Sequence, residues 1–133
     1  MPDDVVLRCE FEKAAGDGSY IRGWANVSSI NGEDVTDDEG DVIALADLRK
    51  GAHDFIMNCR VAKALHEGQQ IGDIVESVII DDAFAEAHGI SHGKRGWWIG
   101  VAVNDAAVRK MIVGGSFKAF SIGGTGERTA IGG

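Results

Sequence analysis

Nineteen glycines cut this 133-residue chain into short segments. No apolar stretch between them is longer than one strand or one modest helix needs. The glycines follow no collagen or low-complexity period, so they are read as turns and close backbone approaches. The most apolar runs, at residues 74–80 and 97–103, fall far short of the ~20 residues a membrane span requires. The start, Met1-Pro2-Asp3-Asp4, has neither the basic nor the apolar region of a signal peptide, so a cytosolic chain without a membrane partner is expected. One proline and 44% apolar residues fit a single domain over residues 1–133, and the closing Gly132-Gly133 suggests a cut inside a longer chain.

Periodicity supplies the elements. Val5, Leu7, Cys9 and Phe11 alternate with Arg8, Glu10 and Glu12, which predicts a half-buried strand over residues 5–14. Gly16-Asp17-Gly18 turns the chain into a second strand at 20–27, where Gly23 and Trp24 mark a bend against a neighbouring backbone. Residues 31–41 are rich in Asp, Glu and Gly and are read as a solvated loop. Leu45, Leu48, Ala52, Phe55 and Ile56 recur at three- and four-residue steps, predicting an amphipathic helix over 44–59. Residues 61–66 and 71–80 form two strands around the turn Glu67-Gly68-Gln69-Gln70. Asp81 caps a short helix that ends at His88-Gly89. Residues 96–103 make a strand in which Trp97 and Trp98 face opposite sides, one in the core and one against a helix. Asp105 caps a helix with Val108, Met111 and Ile112 on one face, and residues 117–122 form the last strand. Strands joined by helices of unequal length, with no βαβ repeat, predict an α+β fold with a strongly curved or closed, mostly antiparallel barrel-like sheet.

Charge narrows the function classes. Thirteen Lys and Arg against 21 Asp and Glu leave −8, and no window gathers enough basic residues to track phosphates, which argues against nucleic acid as a partner. Cys9 and Cys59 lack CxxC spacing and are read as reduced, mostly buried thiols. Carboxylates at 37, 39 and 41 suggest calcium, but the twelfth loop position is Leu48, so the run is read as a turn. Gly89 interrupts the helical spacing of His88 and His92, which excludes a zinc pair; no metal and no cofactor are expected. His53 lies on the polar side of its helix. His66 is different, because it ends an apolar strand and can be held rigidly at a sheet edge yet reach solvent. In Phe120-Ser121-Ile122-Gly123-Gly124, a hydroxyl is followed by glycines whose N–H groups are unshielded, as acyl transfer requires of an oxyanion site.

These blocks also occur in a telling order. Gly23-Trp24-Ala25, Glu39-Gly40-Asp41-Val42-Ile43, His66-Glu67-Gly68, Ile71-Gly72, Val75-Glu76-Ser77, Gly96-Trp97-Trp98-Ile99-Gly100 and Phe120-Ser121-Ile122-Gly123-Gly124 together resemble the XkdF-like phage serine proteases, relatives of the bacteriophage prohead proteases. The resemblance runs from residue 11 to residue 127. It implies a barrel related to the herpesvirus assemblins, with Ser121 as nucleophile, His66 as general base, and Gly123 or Gly124 as oxyanion donors. The third, orienting residue usually follows the serine at a distance, and the chain stops 12 residues after Ser121. Glu76 and Glu127 are the available acids. The expected partner is a phage capsid or scaffold polypeptide, met in the bacterial cytoplasm or inside the prohead, and a homo-oligomer stays open. The alternative is a non-catalytic docking module on the same framework.

Overall fold

The computed structural model describes residues 3–36, 42–59, 61–63, 70–117 and 119–126. In chain order the elements are β1 (Asp3–Ala14), β2 (Tyr20–Ile30), β3 (Glu33–Asp34), α1 (Leu45–Asn58), β4 (Val61–Lys63), β5 (Gln70–Ile80), α2 (Asp82–Ala87), β6 (Lys94–Val103), α3 (Ala106–Val113) and β7 (Ala119–Gly126). The described strands lie in one sheet of order β1-β7-β4-β5-β6-β2-β3, and every described pairing is antiparallel.

The closed barrel expected from the sequence is corrected by this arrangement. The sheet ends in a two-residue outer strand, β3, and among the described residues β4 meets β7 through Ala62 with Ile122 and Lys63 with Ser121 alone. β1 also touches β2, but it divides its length to do so. Residues 3–10 pair with β7, residues 10–14 pair with β2, and a bulge interrupts the second ladder between Phe11 and Lys13. A bulge bends and twists its strand, and the result is a curved antiparallel sheet with a few helices, not a barrel of full-length strands.

Why the sheet bends at this point can be read from Gly23. A Cβ there would sit 2.4 Å from the Glu10 carbonyl oxygen and 2.7 Å from the Phe11 Cα, so only glycine lets β1 and β2 come together. Gly23 and Trp24 were expected to mark such an approach. Asn31-Gly32, within the stretch read as a loop, instead makes a tight hairpin into β3, with φ of 53° and 83°.

The core lies between the sheet and α1. Cys9, Ile21, Ile71, Ile99, Val101 and Val103 are fully buried, and Leu48, Ala52 and Phe55 of α1 close over them. Trp97 and Trp98 do face opposite sides of β6. Trp97 takes both expected roles, being buried in the core with its ring 5.7 Å from that of Phe55, while its Nε1–H donates to Ser77 Oγ at 2.8 Å. Trp98 packs edge-on against Trp24 on the other face, 5.2 Å between centroids. Of the expected α3 face, Val108 and Ile112 are buried but Met111 is 42% exposed, because it stands to one side of the i, i+4 line of Val108 and Ile112 that meets the core. Of the two thiols, Cys9 is buried and Cys59, in the turn after α1, is exposed.

Both capping aspartates act as expected: the N–H of Phe84 donates to Asp81 at 2.8 Å and that of Val108 to Asp105 at 3.0 Å. The Phe84 N–H, then Arg49, hold the Asp81 carboxyl below its ordinary range. A depressed pKa contributes stability that is present above the unfolded value and is lost as pH falls through the folded one. Asn caps a helix as well as Asp does. We therefore expect the melting temperature of Asp81→Asn to fall less between pH 5 and pH 2 than that of the wild type; identical acid profiles would exclude the contribution. Gly23→Ala should destabilise by about 1–3 kcal/mol in urea unfolding, as backbone overpacking does.

Candidate functional site

β7 carries Ser121 in the middle of the sheet. Its register position is opposite Arg8 of β1 on one side and Lys63 of β4 on the other, with Gly123 and Gly124 opposite Val6 and Val5. The neighbouring position, Phe120, pairs with Cys9. Burial pushes the Cys9 thiol up to about 12, and its Sγ lies 3.7 Å from the carbonyl oxygen of Ala25, so this sulfur stays protonated and is no nucleophile. His66 and Glu127 lie outside the described residues. His66 follows Lys63 by three positions along the chain, so the sequence leads from the strand residue opposite Ser121 directly to the candidate base.

Glu76 is described in full. It stands on β5 opposite Gly100 of β6, where Arg22 of β2 reaches it across the bare glycine. Arg22 Nε donates to Glu76 Oε1 at 3.2 Å and to the Tyr20 hydroxyl at 2.7 Å, and Nη2 reaches Oε2 at 3.4 Å. A Cβ on residue 100 would come within 2.5 Å of Glu76 Oε1 and 2.3 Å of the Tyr20 oxygen, so the glycine makes room for the network. The two charged side chains are 46% and 50% exposed, and an ion pair so wet contributes about 0–1 kcal/mol. This cluster was absent from the sequence reading, because its three residues belong to strands that only the sheet order brings together.

The other histidines do not gather. His88 stacks on Phe84 with 4.3 Å between ring centroids, His92 meets Trp24 at 6.0 Å, and His53 is exposed on α1. Among the described residues, no group of three or more His, Cys, Asp or Glu side chains could hold a metal ion.

β7 thus carries a serine two positions before paired glycines on an inner strand of a curved antiparallel sheet. A profile of the family described as "Putative phage serine protease XkdF" matches residues 27–130, and the chain belongs to that family. It is also similar to the "Uncharacterized protein YqbD" of Bacillus subtilis (strain 168), 32% identical over 95 residues, which are 71% of this chain and 29% of that protein. The chain thus spans about three-tenths of the length of the curated relative it matches. No solved structure matches it.

Glu76→Gln should move the urea midpoint by the equivalent of about 1 kcal/mol or less. A larger loss would mean that the Arg22–Glu76–Tyr20 network holds β2, β5 and β6 together far more strongly than its exposure implies.

Proposed function

We propose that this domain is a phage serine endopeptidase in which Ser121 attacks the peptide carbonyl and His66 accepts its proton. The observation that carries the reading is the register of Ser121 opposite Lys63, with His66 three residues further along the chain. A serine hydroxyl is a weak nucleophile until an adjacent imidazole takes its proton, and triads are defined by geometry, not by chain order. The imidazole then returns the proton to the leaving amine as the tetrahedral intermediate collapses to the acyl-enzyme; water repeats the cycle and releases Ser121. The N–H groups of Gly123 or Gly124 stabilise the oxyanion, and the glycines carry no side chain to screen them. Family membership supports the reaction class, and the kinship to prohead proteases belongs to the same reading. The substrate is a capsid or scaffold polypeptide processed during head assembly in the bacterial host. Glu127 or Glu76 orients the imidazole; Glu76 can do so only by sharing its carboxylate with Arg22.

Ser121→Ala in the longest available parent chain should abolish processing of the assembly protein, read by mass spectrometry, with little change in melting temperature. His66→Ala should lose activity to a similar degree, and the double variant should be no worse than either, because members of a catalytic unit are not additive. Unchanged processing by Ser121→Ala at an unchanged melting temperature would overturn the reading and leave a docking module in its place.

A further inference from the structure

Three polar residues form one row across the sheet at the candidate nucleophile. Ser121 of β7 stands opposite Arg8 of β1 in one ladder and opposite Lys63 of β4 in the other. Directly opposed residues of an antiparallel pair share a face of the sheet, with Cβ atoms ~4.5–5.5 Å apart. A cation therefore stands on each side of the serine position. The face is set by the neighbouring rows, because Cys9, opposite Phe120, is fully buried, whereas Glu10, one step further, is exposed. Arg8, Ser121 and Lys63 belong to the face turned away from the Cys9 core.

Along β7 the same face carries Ala119 and Gly123, two positions before and after Ser121, which bring at most a methyl group. Of the described strand positions, the nearest acid on this face by register is Glu10, which stands opposite Ala119 and so lies diagonal to Ser121. Two positive charges thus meet one negative around the serine. The rest of the chain runs the other way. Its 21 Asp and Glu outnumber 13 Lys and Arg, and Arg22, Arg49, Lys94 and Arg95 each meet an acid in a described ion pair. On so acidic a chain, chance would sooner set a carboxylate than a second cation opposite this serine.

We propose that Arg8 and Lys63 select the substrate: the polypeptide this site takes carries a single Glu or Asp next to the scissile bond, its carboxylate held between the two cations. This rests on the serine-protease reading of Ser121 and adds which peptide bond is cut. Arginine offers a planar fork that takes both oxygens of a carboxylate and lysine a point charge, so the pair discriminates a carboxylate from an amide of the same shape. Charge also limits the number of acids. A first carboxylate meets two adjacent cations, whereas each further one meets only the field of a chain with charge −8. The site therefore reads an isolated acidic residue and not an acidic tract.

The test uses the longest available parent chain carrying Ser121→Ala, and decapeptides blocked at both ends so that no terminal carboxylate takes part. Two pools differ only in one central residue, Glu in the first and Gln in the second, and bound peptide is measured by equilibrium dialysis and mass spectrometry. The Glu pool should bind about tenfold more tightly. Arg8→Gln and Lys63→Gln, each added to that chain, should shrink the preference, and a third pool with three consecutive Glu should bind less tightly than the first. With the serine restored, cuts in the first pool should fall beside the Glu. Equal or absent binding of the two pools overturns the proposal, and that comparison needs neither cation variant to fold. A preference that survives both Gln variants at an unchanged melting temperature, or cuts placed without regard to Glu, overturns it as well. The two readings fail separately. If Ser121→Ala abolishes processing but the pools bind alike, the protease stands and the selecting cations fall; if the Glu pool is preferred but processing survives Ser121→Ala, the acid-binding site stands and the protease reading falls.

Discussion

The contact on which the rest of the sheet depends is the approach of β1 to β2 at Gly23. Had β1 stayed with β7 throughout, it would have ended the sheet beside β7 and never met β2. Here β1 leaves β7 and joins β2 at Glu10, and the bare Cα of residue 23 makes the change of partner sterically allowed. That handover rolls the two ends of the sheet toward each other, and the ladders to β1 and β4 flank β7. Ser121 thereby occupies an inner strand of a curved sheet, with a peptide ladder on each side. A residue on such a strand has its backbone held by ladders to two neighbours, the kind of placement that the proposed chemistry needs of a reacting atom.

Period and capping made much of the fold legible. Residues 71–80 read as a strand because they are β-branched and apolar, and Asp81 and Asp105 mark helix starts because their carboxylates take otherwise orphaned N–H groups. The Asn31-Gly32 hairpin was also present in the letters, as a dipeptide suited to two residues at positive φ, but the acidic stretch around it suggested a loop. Other features were not legible in principle. Whether Met111 or Cys59 is covered depends on how each helix is set against the core, and local spacing carries no information about that. Closure of the sheet depends on the lengths of seams between strands far apart in sequence, so a resemblance to barrel proteins overstated it.

The candidate site shows the same division. Ser121, Gly123 and Gly124 stood out locally because acyl transfer needs a hydroxyl beside exposed donors, and His66 because it closes an apolar run in the sequence. What the sequence could not disclose is that Ser121 faces Lys63, a residue 58 positions earlier, across a single ladder. Strand periodicity assigns faces, not neighbours. For the same reason the Arg22–Glu76–Tyr20 network over Gly100 could not be foreseen, and Glu76, an isolated carboxylate in the sequence, turns out to belong to a cation on another strand.

A sheet with an incompletely paired outer strand risks joining its own copies, and this chain limits that risk at β3. β3 is only two residues long, Glu33 and Asp34, both acidic and exposed. A copy aligned edge to edge there would set like charges opposite each other, and the overall charge of −8 adds repulsion at longer range.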